Sequence, residues 1–253
     1  MPDRSIDYDT VCSIYDRVRT GEPEMIYHIL EDFIPPSGSR VLDIGCGTGN
    51  NTLLFQMAVE AQIFGLDSSI GMLLEAHEKA PQVTYIHGSA DSIPLKSESF
   101  DMLFMTEVVH HLPNLSAAMK EMSRVLKPAG RLCIVTQSHS QIEDRMTSRF
   151  FPATIAIDKE RYPAISEIKE CMVRNGFSKT WSKSCKFAPM MLGEDFLNTV
   201  SRKGYSMLHK ISDADYESGL QKLREAFEKH EQLDYSAGYT FAWGKKVQVE
   251  FPE

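Results

Sequence analysis

An α/β fold is what this sequence predicts: a doubly wound, mostly parallel seven-stranded sheet with an N-terminal helical segment and a helical cap inserted late in the chain. Three observations carry that expectation. Short apolar runs recur at residues 41–44, 63–66, 83–86, 100–105 and 131–136. Segments able to form helices separate them, the pattern of a parallel sheet covered on both faces. A glycine-rich turn, Gly45-Cys46-Gly47-Thr48-Gly49, follows the first run, where open α/β sheets bind ligands.

In chain order, residues 1–34 read as largely helical, because Ile26, Ile29, Leu30 and Phe33 recur at helical spacing and Pro35-Pro36-Ser37-Gly38 ends the segment. Residues 41–44 form the first expected strand, 53–61 a helix, 63–66 the second strand and 69–80 a further helix. The runs at 83–86, 100–105 and 131–136 are the third, fourth and fifth strands, with a helix over 116–126 before the last. A helix follows over 165–175, with Ile168, Cys171 and Met172 on one side and Gly176 as its stop. Residues 177–187 read as a strand and 235–249 as one or two more. Between them, 193–202 and 213–231 have helical character, and Leu220, Leu223, Phe227 and His230 supply an apolar stripe. The expected organisation is one domain over 1–253. It has a helical pocket cover at 1–34, a core at 35–188 and 235–253, and a helical lid at 189–234.

With 253 residues and 42% hydrophobic side chains, the chain can bury a sizeable core. Its formal charge of -8 and the absence of a basic block disfavour an extended nucleic-acid footprint. No apolar run approaches the roughly 20 residues of a membrane span, and the first residues lack the apolar core of a secretory signal. The five cysteines (Cys12, Cys46, Cys133, Cys171 and Cys185) are scattered and odd in number, which supports neither a disulfide scaffold nor a zinc site. Adjacent His110 and His111 do not make the shared helical face of a metal motif. The expectation is a cytoplasmic protein with no metal, no nucleic acid and no membrane partner. Monomer and homodimer both stand open.

Glycines permit a tight turn and let a ligand approach the backbone. Asp67, just past the second strand, is placed to accept from both hydroxyls of a ribose, a feature shared with nicotinamide-binding folds. Asp43 separates the readings. A pyrophosphate beside the turn would meet its carboxylate, whereas S-adenosylmethionine brings an ammonium and a sulfonium and no phosphate. Asn50-Asn51 stand where a P-loop requires Lys and then Ser or Thr. No GxSxG elbow is present for hydrolytic chemistry. A nicotinamide oxidoreductase is the competing reading of the turn.

The ordered set of motifs goes further. Asp43 through Gly49, Gly65-Leu66-Asp67-Ser68-Ser69, Gly88-Ser89-Ala90-Asp91-Ser92-Ile93-Pro94, Phe100-Asp101-Met102-Leu103-Phe104-Met105 and Val125-Leu126-Lys127-Pro128-Ala129-Gly130-Arg131-Leu132 together resemble the class I S-adenosylmethionine-dependent methyltransferases. The resemblance covers residues 8–138. It is especially similar to the small-molecule branch that includes quinone-biosynthetic C-methyltransferases, a branch that also contains O- and N-methyltransferases.

That resemblance implies S-adenosyl-L-methionine as cofactor, with Asp43 and the turn of Gly45, Cys46, Gly47 and Gly49 on its methionyl part. It places Asp67 on the ribose, Ser68 and Met72 at the adenosine side, Ala90 and Asp91 at adenine, and Thr106 near the sulfonium. Tyr15, within Tyr15-Asp16-Arg17, is the expected aromatic contact at the pocket entrance, and Tyr8 lies in the same segment. Asp101 is expected to stabilise local structure. Acceptor deprotonation would fall to His111, Glu107 or His139, each of which has a structural reading beside it: His111 and Glu107 as supports of their loop, His139 as a solvated loop residue. Arg145, Arg149, Phe150, Arg161 and Tyr162 are the candidate substrate-binding residues, since Arg pairs with anions and rings give apolar contact. The same residues also suit a solvated arginine face over an aromatic core. The reaction expected is direct displacement at the cofactor methyl by an O, N, C or S atom of a small-molecule methyl acceptor. A tRNA or protein methyltransferase and a noncatalytic S-adenosylmethionine-binding regulator are the alternatives.

Overall fold

Proline at the first helical position opens α1 (Pro23–Asp32), which buries Met25, Ile26 and Ile29. The computed structural model describes residues 21–248, so the expectations at Tyr8, Cys12 and Tyr15 lie outside the described residues. After α1 come β1 (Arg40–Ile44), α2 (Asn50–Ala58), β2 (Gln62–Asp67), α3 (Ile70–Lys79), β3 (Thr84–His87) and β4 (Phe100–Thr106). A 3-10 turn over Val109–His111 leads to α4 (Leu115–Val125) and then β5 (Leu126–Thr136). The ends of two helices follow from local chemistry: Ser69 Oγ accepts from Met72 N at the start of α3, and Asn114 Oδ1 accepts from Ala117 N at the start of α4.

The remaining elements are α5 (His139–Glu143), α6 (Met146–Phe150), α7 (Ala153–Arg161), α8 (Ile165–Arg174), β6 (Phe177–Lys186), β7 (Met190–Met191), α9 (Glu194–Ser201), a 3-10 turn over Ser206–His209, α10 (Asp213–Glu228), β8 (Asp234–Tyr235) and β9 (Gly238–Lys246). The seven-stranded sheet runs β3-β2-β1-β4-β5-β9-β6. The pairs β2–β3, β1–β2, β1–β4 and β4–β5 are parallel, and β9 returns antiparallel to β5. Strand order reverses between β1 and β4, which opens a ligand crevice beyond their C-terminal ends.

Contacts divide the chain into two compact units. The sheet unit holds the described residues 21–136, 164–184 and 240–248. On one sheet face Leu42, Ile44, Leu103, Met105, Leu132 and Ile134 form a buried cluster with Ala118, Met119 and Met122 of α4 and with Ile168 and Met172 of α8. On the other, Asp43, Phe104, Cys133 and Trp243 are register partners, and Phe55 of α2 stacks on Phe104 at 4.6 Å. The helical unit comprises 137–163 and 185–239. Its core includes Phe150, Phe151, Leu208, Tyr216, Leu220 and Leu223.

This division differs from a lid confined to 189–234. Residues 137–163 join the helical unit because Phe150 and Phe151 pack into the cluster formed by α10. At Gly219 an added Cβ would lie 2.3 Å from Phe151 Cδ1, so α10 needs glycine there for ring packing. His230 also departs from the expected apolar stripe. It is exposed at φ 55°, beyond the last turn of α10.

Candidate active site

The first βα turn is built from backbone as much as from side chains. Gly45, Gly47 and Gly49 take φ values of 73°, 53° and 77°, the left-handed region that glycine adopts without cost. At Gly45 a Cβ would come within 2.5 Å of Val108 Cγ2, whereas at Gly47 it would meet nothing within 4 Å. The first is a packing glycine and the second faces open space. Gly49 is the N-cap of α2 and offers no side-chain acceptor to the first-turn amides.

Two carboxylates flank this turn. Asp67 Oδ2 accepts from Gly47 N at 2.8 Å and Oδ1 from Ser69 N at 2.9 Å, which ties the turn to the end of β2. Asp43 is 1% exposed, and Thr52 donates to its Oδ2 at 2.7 Å, while Oδ1 is enclosed with no hydrogen-bond partner. Burial pushes its carboxyl up to about 7; the Thr52 bond works against that rise and the Asp67 charge adds to it. Cys46, in the turn, is also driven well up by burial and by both aspartates, so its thiol stays neutral.

The adenosine-side candidates occupy the loops after β2 and β3. Ser68 is exposed and its carbonyl contacts His87 Nε2 at 3.1 Å, while Met72 and Ala90 are buried. Ser89 Oγ donates to Asp91 Oδ1. Asp101 sits at the opposite end of β4, where Arg40 N donates to it and Lys127 Nζ pairs with it at 2.8 Å. It supports the sheet.

Beyond β4, Thr106 Oγ1 accepts from Asn51 Nδ2 at 3.1 Å. Glu107 follows at φ 55°, a left-handed conformation unusual for a side-chain-bearing residue, with its N–H held by Val135 O at 2.9 Å. The rings of His110 and His111 lie 4.1 Å apart, His110 half-buried and His111 exposed.

His139 and the substrate candidates belong to the helical unit. His139 Nε2 contacts Tyr162 O at 2.9 Å. Arg145 is buried: Nη1 pairs with Asp158 Oδ2 at 2.6 Å, Nε donates to Gln137 Oε1, and the guanidinium lies over the Tyr162 ring. Arg161 reaches the other Asp158 oxygen at 2.9 Å. Instead of a bare arginine face, the sequence builds a buried carboxylate bracketed by two guanidinia. Arg149 is exposed and pairs with Glu231 at 3.2 Å, and Phe150 is buried in the helical core.

Asn51, Thr52, Val108 and Tyr85 escape the sequence reading. Tyr85 OH would stand 2.8 Å from a Cβ at Gly49. The motif Gly49-Asn50-Asn51-Thr52 carries a signal only for what it lacks, the P-loop lysine. Val108 and Tyr85 reach the turn through tertiary contact alone.

The donor set fits S-adenosylmethionine. A buried acceptor oxygen without a partner among the described residues suits an ammonium, the open side of Gly47 admits a ligand, and the Asp67 carboxylate is tied to the same turn. Residues 42–134 match the model of a methyltransferase domain. The demethylmenaquinone methyltransferase of Staphylococcus haemolyticus is 28% identical over 201 residues, spanning 68% of this chain and 84% of that protein. Among solved structures, an Anabaena variabilis protein assigned as a methyltransferase of an antibiotic biosynthesis pathway superposes with TM-score 0.70 at 21% identity, over 90% of this chain and 98% of that one. A Haemonchus contortus phosphoethanolamine N-methyltransferase, solved with S-adenosylhomocysteine, gives TM-score 0.60 at 21% identity over 97% of this chain and 59% of that one. At such identities the structures speak for the fold.

Sheet order and glycine turn are those of the class I S-adenosylmethionine-dependent methyltransferase fold, and the matched segment is similar to a methyltransferase domain. Within that class the chain resembles the quinone C-methyltransferases. Among the described residues no helix is long and apolar enough to cross a membrane, and no cluster of His, Cys, Asp and Glu suits a metal.

Proposed function

We propose that the sheet unit holds the methyl donor through Asp43, the 45–49 turn and Asp67, and that the acceptor is an electron-rich small molecule that attacks the donor methyl through a carbon atom. The carrying observation is the pairing of Asp67 with Gly47 N beside the unpartnered Asp43 Oδ1. S-adenosylmethionine, when bound, supplies a methyl group made electrophilic by its sulfonium. Asp67 binds the ribose hydroxyls, Asp43 faces the ammonium, and Ser68, Met72, Ala90 and Asp91 enclose the nucleoside. Orientation and exclusion of water are the main work of the fold, because displacement at that carbon needs an aligned nucleophile more than an acid. Glu107 and His111 lie on the loop after β4. We assign His111, the exposed member of the histidine pair, to take the acceptor proton where the acceptor carries one. If His139 Nε2 donates to Tyr162 O, its other nitrogen is left as a base, which gives His139 the same role as second choice.

Acceptor choice is assigned to the candidates Arg145, Arg149, Phe150, Arg161 and Tyr162. Arg149, whose side chain is 54% exposed, is the most available of the five candidates for an anionic or phenolate group. Carbon as nucleophile is supported by the activity named for the Staphylococcus relative. We assign the protein to the cytoplasm, a setting that suits the buried thiols of Cys46, Cys133 and Cys171.

Turnover over a panel of hydroxylated aromatic, amine, thiol and quinol acceptors tests the reading, with S-adenosylhomocysteine and methylated product measured together. Stoichiometric formation of both with a ring acceptor is expected. Methylation confined to oxygen, nitrogen or sulfur overturns carbon as the attacking atom. Tight S-adenosylmethionine binding with no turnover on any of the four classes favours a cofactor-binding regulator instead.

A further inference from the structure

We propose that Asn51 is a positioning residue that fixes the Thr106 hydroxyl at the donor end of the site. The inference rests on the donor-site reading and adds a residue to it. Asn51 lies in the first turn of α2, a place where asparagine brings no helix-propensity advantage. Both ends of its side-chain amide are committed across the chain. Glu22 N donates to Oδ1 at 2.9 Å, and Nδ2 donates to Thr106 Oγ1 at 3.1 Å, with Met25 Sδ 3.9 Å from the same nitrogen. A backbone N–H can only donate, so the Glu22 contact sets which end of the amide is oxygen. The nitrogen must then face Thr106, whose oxygen accepts. The hydroxyl hydrogen is thereby turned away from Asn51.

The strut has a firm footing. Gly21 presses on α2 so closely that a Cβ there would sit 2.7 Å from Leu54 Cδ1 and 3.0 Å from Asn50 O. At the other end Thr106 closes β4 and pairs in register with Val135, whose carbonyl holds Glu107 N at 2.9 Å. Asn51 therefore joins the lead-in to α1, the first turn of α2 and the last residue of β4. The bond holds the Thr106 oxygen in one place at the end of β4, so that a bound sulfonium meets an oxygen already positioned and turns the hydroxyl hydrogen to the remaining side. Differential recognition of a charged sulfur is the expected consequence.

Calorimetry with S-adenosylmethionine and with S-adenosylhomocysteine tests this, because the two differ in charge at sulfur. Asn51→Ala is expected to weaken S-adenosylmethionine roughly tenfold and S-adenosylhomocysteine less than about threefold. Thr106→Val should reproduce that split and Thr106→Ser should restore it. The double variant N51A/T106V should lose no more than the worse single variant. In the ligand-free protein, the Glu22 amide should exchange faster in Asn51→Ala than in wild type, with Thr106→Val unchanged. Equal losses for both ligands, additive losses, or a silent Thr106→Val overturn the positioning role. Wild-type protein that binds neither ligand overturns the donor-site reading itself. Should Asn51→Ala fail to fold, Asn51→Ser, whose short side chain cannot span from Glu22 N to Thr106 Oγ1, takes its place, and the same split between the two ligands is expected of it.

Discussion

Asp43 keeps its proton further into the neutral range than a surface aspartate because one of its oxygens has no donor and water is excluded. An unfolded chain releases that proton near the ordinary value of 3.8, so folding takes a proton up between there and about 7. The contribution of the neutral carboxyl to stability is therefore complete at the acid end and lost as pH rises to about 7. Thermal unfolding followed from about pH 5 to about pH 8 should show that slope in wild type and lose it in Asp43→Asn. A slope of equal size in Asp43→Asn would place its origin elsewhere. Asp67 makes a different prediction. Asp67→Ala removes an acceptor for the ribose and the tie to Gly47 N, so S-adenosylhomocysteine should bind about 10- to 100-fold more weakly, read by calorimetry. Unchanged affinity in a folded variant would remove Asp67 from the ribose. His111→Ala should cut turnover by about 100-fold or more at unchanged S-adenosylhomocysteine affinity if His111 moves the acceptor proton. These aspartates and glycines were legible in the sequence because their spacing around two strands is local. Thr52 and Asn51 were not, since an asparagine or threonine in a first helical turn looks the same whether it binds solvent or a residue 55 positions away.

The 45–49 turn shows how one glycine-rich element serves two purposes. Gly45→Ala would drive a Cβ into Val108 in a left-handed conformation, and a loss of about 3 kcal/mol in stability is expected. Gly47→Ala meets no protein atom and should cost only about 1–2 kcal/mol of left-handed strain. Its methyl would instead stand in the space left for a ligand, so S-adenosylhomocysteine affinity should fall further in Gly47→Ala than stability does. Parallel unfolding and calorimetric measurements on the two variants check the contrast, and equal behaviour would dissolve it. Elsewhere, legibility followed length. The helices α8 and α10 and the strands of the parallel core were evident from period and apolar runs. The helices α5 and α6, five residues each, are too short to display a period; α5 opens on a capping box between Ser138 and Gln141, and α6 packs Met146 and Phe150 into the helical core. β5 begins five residues before Arg131, at Leu126, because the strand passes through Ala129 at φ 63° with a register shift opposite Phe100 and Met102. Lys127-Pro128-Ala129-Gly130 has the composition of a turn, and a bulged strand shares it.

For the molecule as a whole, order of motifs carried the class, and long-range packing decided where the units divide. The helical unit joins segments on both sides of α8 because aromatic side chains at 150 and 151 find their partners on α10. Its buried charge is concentrated on Asp158, 2% exposed between Arg145 and Arg161. Removing that carboxylate strands two guanidinia, and Asp158→Ala should lower stability by about 3–5 kcal/mol, read by denaturant unfolding. A loss below about 1 kcal/mol would mean that solvent relieves the arginines.

The insertion of β9 between β5 and β6 has a consequence for synthesis. A nascent chain halted before Gly238 already holds every strand of the parallel portion, yet the flank of β5 lacks its neighbour, and β6 has no sheet to join. Unmatched amides and carbonyls on that flank are a template for other chains until the last strand leaves the ribosome. Premature stops in the stretch 187–237 should therefore yield aggregates in place of a smaller working enzyme.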